Sequence, residues 1–186
     1  MTLRHEQAPT GIPSAVAANV AAQIPTLVSD ALLLRAPIVE DFPLYAEVMC
    51  NERGQYMGGP LSRDDAWWDF VQLASGWMLH GHGGWSIVDV DSEELLGFVI
   101  LGLEPGDKHI ELGFLVSEAN EGLGIAREAA QMARAFAFDT LKLTELASYV
   151  HKDNARSIAL AERLGATRTV HDDTMLAYIH TNEVAQ

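Results

Sequence analysis

Apolar and polar positions change period several times along the chain, and each change marks an element. Leu32, Leu33 and Leu34, followed by Arg35 and Pro37, predict a first strand that ends where proline withdraws its amide and restricts its neighbour. A helix is expected over 40–50 and a loop over 51–60, where three glycines and Pro60 fall. Ser62 offers a helix cap, with Asp64 and Asp65 in the first turn where the dipole favours anions. Trp67, Phe70, Val71, Ala74, Trp77 and Met78 then recur at helical spacing and predict a buried, aromatic-rich face. The glycine-rich segment 80–84 breaks that helix ahead of a β-branched, alternating stretch over 85–90. Turns at Asp91-Ser92 and at 104–107 separate it from strands over 95–103 and 109–117, giving three consecutive antiparallel strands. Beyond them the pattern predicts a helix over 124–139 with Ile125, Ala129, Met132 and Phe136 on one face, a strand over 145–150, a helix over 154–164, and strands over 167–170 and 175–180. The order βααβββαβαββ is an α/β fold of the α+β type: a mixed, mostly antiparallel sheet in which one crossover makes a parallel pair.

Residues 1–26 read as an N-terminal extension to a single domain over 27–186. Ser14 is a plausible cap for a helix to Gln23, whose Val16, Val20 and Ile24 side either docks on the body, docks on a partner subunit of a homodimer, or belongs to a frayed tail. The apolar run 15–24 is half the ~20 residues a membrane span needs and is interrupted by Asn19 and Gln23, so no membrane role is expected.

Composition narrows the partners. In 186 residues, 48% hydrophobic and 20% charged, a sizeable core can form and general disorder is excluded. The 26 acidic residues against 12 basic ones give a net charge of −14, a field that repels nucleic acid and anionic lipid and suits a cationic amine. The single Cys50 excludes an internal disulfide and a zinc site built from several thiolates, and a cytoplasmic location follows as the expectation. His80 and His82 flank a glycine with no partner carboxylate in register, so no metal site is expected.

The segment from Phe114 to Ala129 carries the chemistry. A strand enters a turn holding Gly122 and Gly124 and leaves it as a helix, so several amides can face one anion with no side chain between. A phosphate-binding Walker loop needs Lys and Ser or Thr after its last glycine, and here Ile125 and Ala126 follow. A dinucleotide fingerprint needs a small residue where Arg127 stands, and three antiparallel strands precede the turn.

On these residues the chain resembles the GNAT superfamily of acetyl-CoA-dependent N-acyltransferases over nearly all of 32–179. Glu111-Leu112-Gly113-Phe114 resembles the family's fourth strand, Gly122-Leu123-Gly124-Ile125-Ala126 its pyrophosphate loop, and Glu128-Ala129 the start of the next helix. Asn154-Ala155-Arg156-Ser157 followed by 161–165 is similar to its second coenzyme-contacting block. The Asn-x-x-Ser form is most like the branch that acetylates N-terminal amines of ribosomal proteins. The resemblance implies a GNAT-like sheet with helices on both faces and acetyl-CoA as cosubstrate. It also implies coenzyme contacts from the strand backbone at Phe114, Leu115 and Val116, from the turn at Glu121, Gly122, Leu123, Gly124, Ile125, Ala126 and Arg127, and from Asn154 and Ser157. Two departures stand out: Glu121 occupies the turn's first position, where relatives carry Gln, Arg or Trp, and Ala161 stands where many carry the tyrosine that protonates the leaving thiolate.

Acyl transfer to an amine needs a neutral amine, a held carbonyl and a proton for the thiolate. Alternation puts Ile110, Leu112, Phe114 and Val116 on one strand face and Glu111 on the other, beside the expected coenzyme cleft. Glu111 is there either as the base or as an ordinary carboxylate at a solvated strand start. Ser157 is the candidate acid through the resemblance, with capping or packing as its other role; Asn154 caps its helix, orders the pantetheine arm, or both. The expected function is an N-acetyltransferase acting on a primary amine, a protein N-terminus or a small amine, by direct attack in a ternary complex. Its rivals are a catalytically weak acyl-CoA-binding module, motivated by Glu121 and Ala161, and a nucleotide-binding protein, motivated by the glycine turn alone. Segments 51–60, 80–84 and 104–108 are the expected substrate loops.

Overall fold

A computed structural model describes residues 3–182. It has strands β1 (Leu27–Val28), β2 (Leu32–Arg35), β3 (Gly84–Asp89), β4 (Leu95–Gly102), β5 (Glu111–Val116), β6 (Glu145–His151), β7 (Thr167–Val170) and β8 (Met175–Thr181). The helices are α1 (Ile12–Ala21), α2 (Phe42–Met49), α3 (Arg63–His80), α4 (Ile125–Ala135) and α5 (Ala155–Arg163). One sheet holds the strands in the order β1-β2-β3-β4-β5-β6-β8-β7, antiparallel except for the β5/β6 pair, the expected α/β arrangement.

Ser62 caps α3 as expected, its side chain accepting from Asp65 N at 3.1 Å. Helices cover both sheet faces. On one, α4 buries Ala129, Ala130 and Ala133 against Leu34, Trp85 and Leu112, and Phe114 and Val116 lean toward the same cluster. On the other, α2 and α3 bring Phe42, Met49, Phe70 and Leu73 onto Phe98, with Leu115 at the margin. A bidentate pair, Arg35 to Asp41 at 2.7 and 2.8 Å, fastens the entry of α2 to β2, and Ser86 donates to the same carboxylate at 2.6 Å.

Several boundaries differ from the periodicity. There is an eighth strand, β1, paired with β2. The helix expected from 40 begins as a 3-10 turn over Val39–Asp41, because Pro43 lies in the first turn of α2. Helix α4 ends at Ala135 and continues as a π-helical turn over Phe136–Thr140. Met78 is 76% exposed, so the buried face of α3 turns on Ala66, Phe70 and Leu73 instead. Helix α1 starts at Ile12 behind Gly11, with Pro13 in its first turn and Ser14 inside it. Its Val16 and Val20 are exposed; only Ile24 packs on the body. The extension is anchored further upstream, where buried Glu6 accepts from Arg63 of α3 at 2.6 and 3.0 Å and His5 meets the Trp67 ring edge-on. Among the described residues no helix is long and apolar enough to cross a membrane.

Candidate active site

The parallel pair β5/β6 touches at one register position, Glu111 opposite Ala147. Ala147 N–H donates to Ile110 O at 3.0 Å, and one residue further the Leu112 carbonyl takes the Ser148 hydroxyl at 2.7 Å in place of a strand partner. Beyond that point the strands diverge. Buried Ser148 also lies 3.1 Å from His180 Nε2, and burial pushes that imidazole down to about 4, so it stays neutral.

A cleft of about 710 Å³ opens over this divergence. Phe114, Leu115, Val150, Asn154 and Ser157 line it together with Tyr45, Trp68 and the 56–58 loop, where the Tyr56 ring meets that of His151 at 5.2 Å. Glu111, the first residue of β5, also lines it. Parts of all three expected substrate loops reach the wall: Tyr56 to Gly58, His80 to Gly83 except Gly81, and Glu104 with Asp107. His82 is spoken for structurally, its Nδ1 being 2.6 Å from Leu101 O.

Five carboxylates line the cleft, from Asp65, Asp69, Glu104, Asp107 and Glu111, and no lysine or arginine among the described residues joins them. Their crowding is visible in their acidities. Burial first, then the charges of Glu104 and Asp107, raise Glu111 to about 7 against the Tyr149 N–H that lowers it. Burial raises Glu104 as well, with Asp107 and Asp69 adding to it. Asp69 is raised by burial although Tyr45 donates to it at 2.6 Å. Tyr149 reaches into the same region: burial and Asp107 raise its phenol, while the N–H groups of His109 and Lys108 lower it. Asp69, Tyr45 and Tyr149 were not singled out from the sequence; they come from three elements, and only the acidic composition hinted at them.

The glycine turn stands beside the cleft's β5 end. Gly122 and Gly124 have φ of +76° and +88°, values L side chains rarely adopt, and a Cβ built on either would meet nothing within 4 Å. The space next to both is open. The first helical bond runs from Glu128 N–H to Gly124 O, which leaves the amides of Ile125, Ala126 and Arg127 without helical acceptors. An anion fits that arrangement on geometry and dipole alike. Glu128 turns away, accepting from Ser29 at 2.6 Å. Glu121 does not confront the anion site unpaired: Arg53 donates to it at 2.5 Å and Arg156 binds its other oxygen.

Asn154 caps α5, accepting from Ser157 N–H at 3.2 Å, and both side chains face the cleft. Ala161 is buried with Val150, Leu176 and Tyr178, so its side chain serves packing.

This architecture has close counterparts. The family model described as acetyltransferase (GNAT) domain matches residues 31–167. The crystal structure of an acetyltransferase from Agrobacterium tumefaciens str. C58 is 36% identical, covers 86% of this chain and 95% of its own, and superposes with a TM-score of 0.81. A GnaT-family acetyltransferase from Bordetella pertussis, 24% identical over 83% of this chain and 98% of its own, shares the fold at a TM-score of 0.67. So does a ribosomal-protein-S5-alanine acetyltransferase from Vibrio fischeri, 14% identical over 87% of this chain and 99% of its own, at a TM-score of 0.66. With a domain match over most of its length and a relative of that identity, the chain belongs to the GNAT acetyltransferase family.

Proposed function

We propose that the protein transfers the acetyl group of acetyl-CoA to a primary amine, by direct attack with both substrates bound. The observation that carries this reading is the placement of Glu111: enclosed, raised to about 7, and set where β5 and β6 part, among the carboxylates of the cleft and on the strand that leads into the glycine turn. The turn amides of 122–127 would receive the diphosphate, and the backbone of Phe114, Leu115 and Val116 would pair with the pantetheine arm as an added strand.

The carboxylates favour a cationic acceptor, and they also hold it protonated. An α-amine with a pKa of ~8 is about one-tenth neutral at pH 7, and the negative cleft lowers that fraction further, so a base is worth more here than in water. Glu111 takes one ammonium proton, which frees the lone pair, and the nitrogen bonds to the acetyl carbon. As the C–S bond breaks, the Ser157 hydroxyl donates to the departing thiolate and regains its proton from the nitrogen, giving the amide, the free thiol and the protonated Glu111 carboxyl. The charge on Glu121, one motive for a catalytically weak module, is matched by Arg53 and Arg156. The Asn154 and Ser157 pattern makes peptide N-termini the first acceptors to try, with small diamines second, and the single cysteine suits work in the cytoplasm. The test is thiol release from acetyl-CoA across a panel of peptides and small amines. Turnover with cationic amines and none with anionic or neutral ones is expected; binding without thiol release from any amine would refute the enzymatic reading.

A further inference from the structure

Arg53 and Arg156 come from segments far apart in sequence, the 3-10 turn Glu52–Tyr56 and the first turn of α5, yet both guanidinium groups end on Glu121 at the first position of the glycine turn. One Arg53 nitrogen, Nη2, is shared between Glu121 and the Val116 carbonyl at 3.0 Å. Its other terminal nitrogen, Nη1, is enclosed by protein and has no hydrogen-bond partner among the described residues. An enclosed guanidinium N–H without an acceptor carries the desolvation penalty of a hydrogen bond left unmade. A packing or bracing arginine has no reason to carry that cost, whereas a donor kept for an incoming anion does. Arg156 is 80% exposed apart from its contact with Glu121, so it can swing to a new anion freely.

The local charge is equally telling. In a protein of net charge −14, two guanidinium groups meet on one carboxylate here, beside bare glycines whose Cβ directions face open space. Planar guanidinium forks match phosphate oxygens two at a time, better than a point charge does. A carboxylate presents two oxygens in nearly the same way. Glu121 therefore occupies, within the folded chain, the role that a phosphate plays on ligand binding.

We propose that Arg53 and Arg156 bind the phosphates of the acyl donor, with Glu121 as the internal anion that keeps both guanidinium groups in position until the phosphates take them over. This rests on the acetyl-CoA reading and adds to it two binding residues lying outside the glycine turn.

The test compares acetyl-CoA with S-acetylpantetheine, which carries the same thioester and no phosphate, in wild type, Arg53→Gln and Arg156→Gln. Wild type should favour acetyl-CoA strongly. Each substitution should lower kcat/KM for acetyl-CoA by about 10–100-fold, the value of a charged hydrogen bond, and leave S-acetylpantetheine nearly unchanged. The acetyl thioester of dephospho-CoA then tells the two phosphate sources apart: an equal loss for it and for acetyl-CoA assigns the arginines to the diphosphate, and a loss confined to acetyl-CoA assigns them to the 3′-phosphate. Equal losses for acetyl-CoA and S-acetylpantetheine would show that the arginines only brace the fold, and an unchanged preference would remove them from donor binding; either result overturns the proposal. Arg156→Gln decides the matter should Arg53→Gln fail to fold, because its side chain is mostly in solvent. A wild-type enzyme indifferent to the phosphates would refute the acetyl-CoA reading itself, a failure distinct from these.

Discussion

Replacing Glu111 by glutamine probes the centre of the mechanism with two readouts that do not share their errors. The first is kinetic. A positioned base is worth roughly 10²–10⁴ in rate, so Glu111→Gln should slow single-turnover transfer at pH 7 by that factor while acetyl-CoA affinity changes little. Wild-type rates should rise through an inflection near the carboxyl's value of about 7, since only the ionised form accepts a proton. The variant should lack that inflection, and raising the pH should recover part of its loss as the amine itself becomes neutral, earlier for an α-amine than for a lysine-like one. The second readout is stability. A carboxyl raised from 4.5 to about 7 by burial and by Glu104 and Asp107 makes the ionised fold less favourable. Because the folded value lies above the unfolded one, nothing is lost below about 4.5, and the penalty grows as pH rises through about 7. The full difference corresponds to roughly 3 kcal/mol, and water reaching a cleft side chain reduces it to ~1–3 kcal/mol. Glu111→Gln should therefore match wild type at pH 4 in urea unfolding and exceed it at pH 8 by that amount. A wild-type single-turnover rate across pH 6 to 9 would remove Glu111 from proton transfer and leave positioning as the catalytic device.

Three further outcomes are expected. Glu104→Gln removes a charge that raises Glu111, so the inflection in the wild-type pH profile should move to lower pH; an inflection that stays put would detach it from Glu111. Gly124→Asp should abolish acetyl-CoA binding in calorimetry while the fold survives, because the new side chain enters open space at the anion site at a backbone cost of about 1–2 kcal/mol; retained affinity in a folded variant would misplace the site. Ser157→Ala should lower kcat with little change in the KM for the donor, and equal loss in both would assign the hydroxyl to binding or capping.

The residues that were legible in the sequence are those whose signals are local. Strand alternation assigned Glu111 to the face opposite Leu112 and Phe114, which pack into the core, and a serine before two aspartates marked the start of α3, because pleat and cap are decided within a few residues. Local signals also misled. Val16 and Val20 share a helical face, yet that face meets solvent, since nothing in a periodicity says whether a neighbour exists to cover it. What stayed hidden was non-local: the tether from Glu6 to Arg63, the convergence of Arg53 and Arg156 on Glu121, and the crowd of carboxylates from α3, the β4–β5 turn and β5. Glu121 shows the difference most clearly, for in sequence it is an anion beside an anion site, and only the fold supplies its two counter-charges.

The single bridge between β5 and β6 makes the sheet two slabs joined at a seam. On one side β2 to β5 are laced by long antiparallel ladders, on the other β6 to β8, while the seam has one backbone bond, from Ala147 to Ile110, and is otherwise crossed by side chains: the Ser148 hydroxyl, the Glu111 carboxylate at Tyr149 N–H, and His109 with Glu145. The backbone ladder is therefore sparsest where the cleft opens, and a ligand backbone lying in the gap would act as mortar between the slabs. Amide hydrogen exchange should report this directly, with β5 beyond Leu112 exchanging faster than β3 or β4 in the free protein and slowing on donor binding.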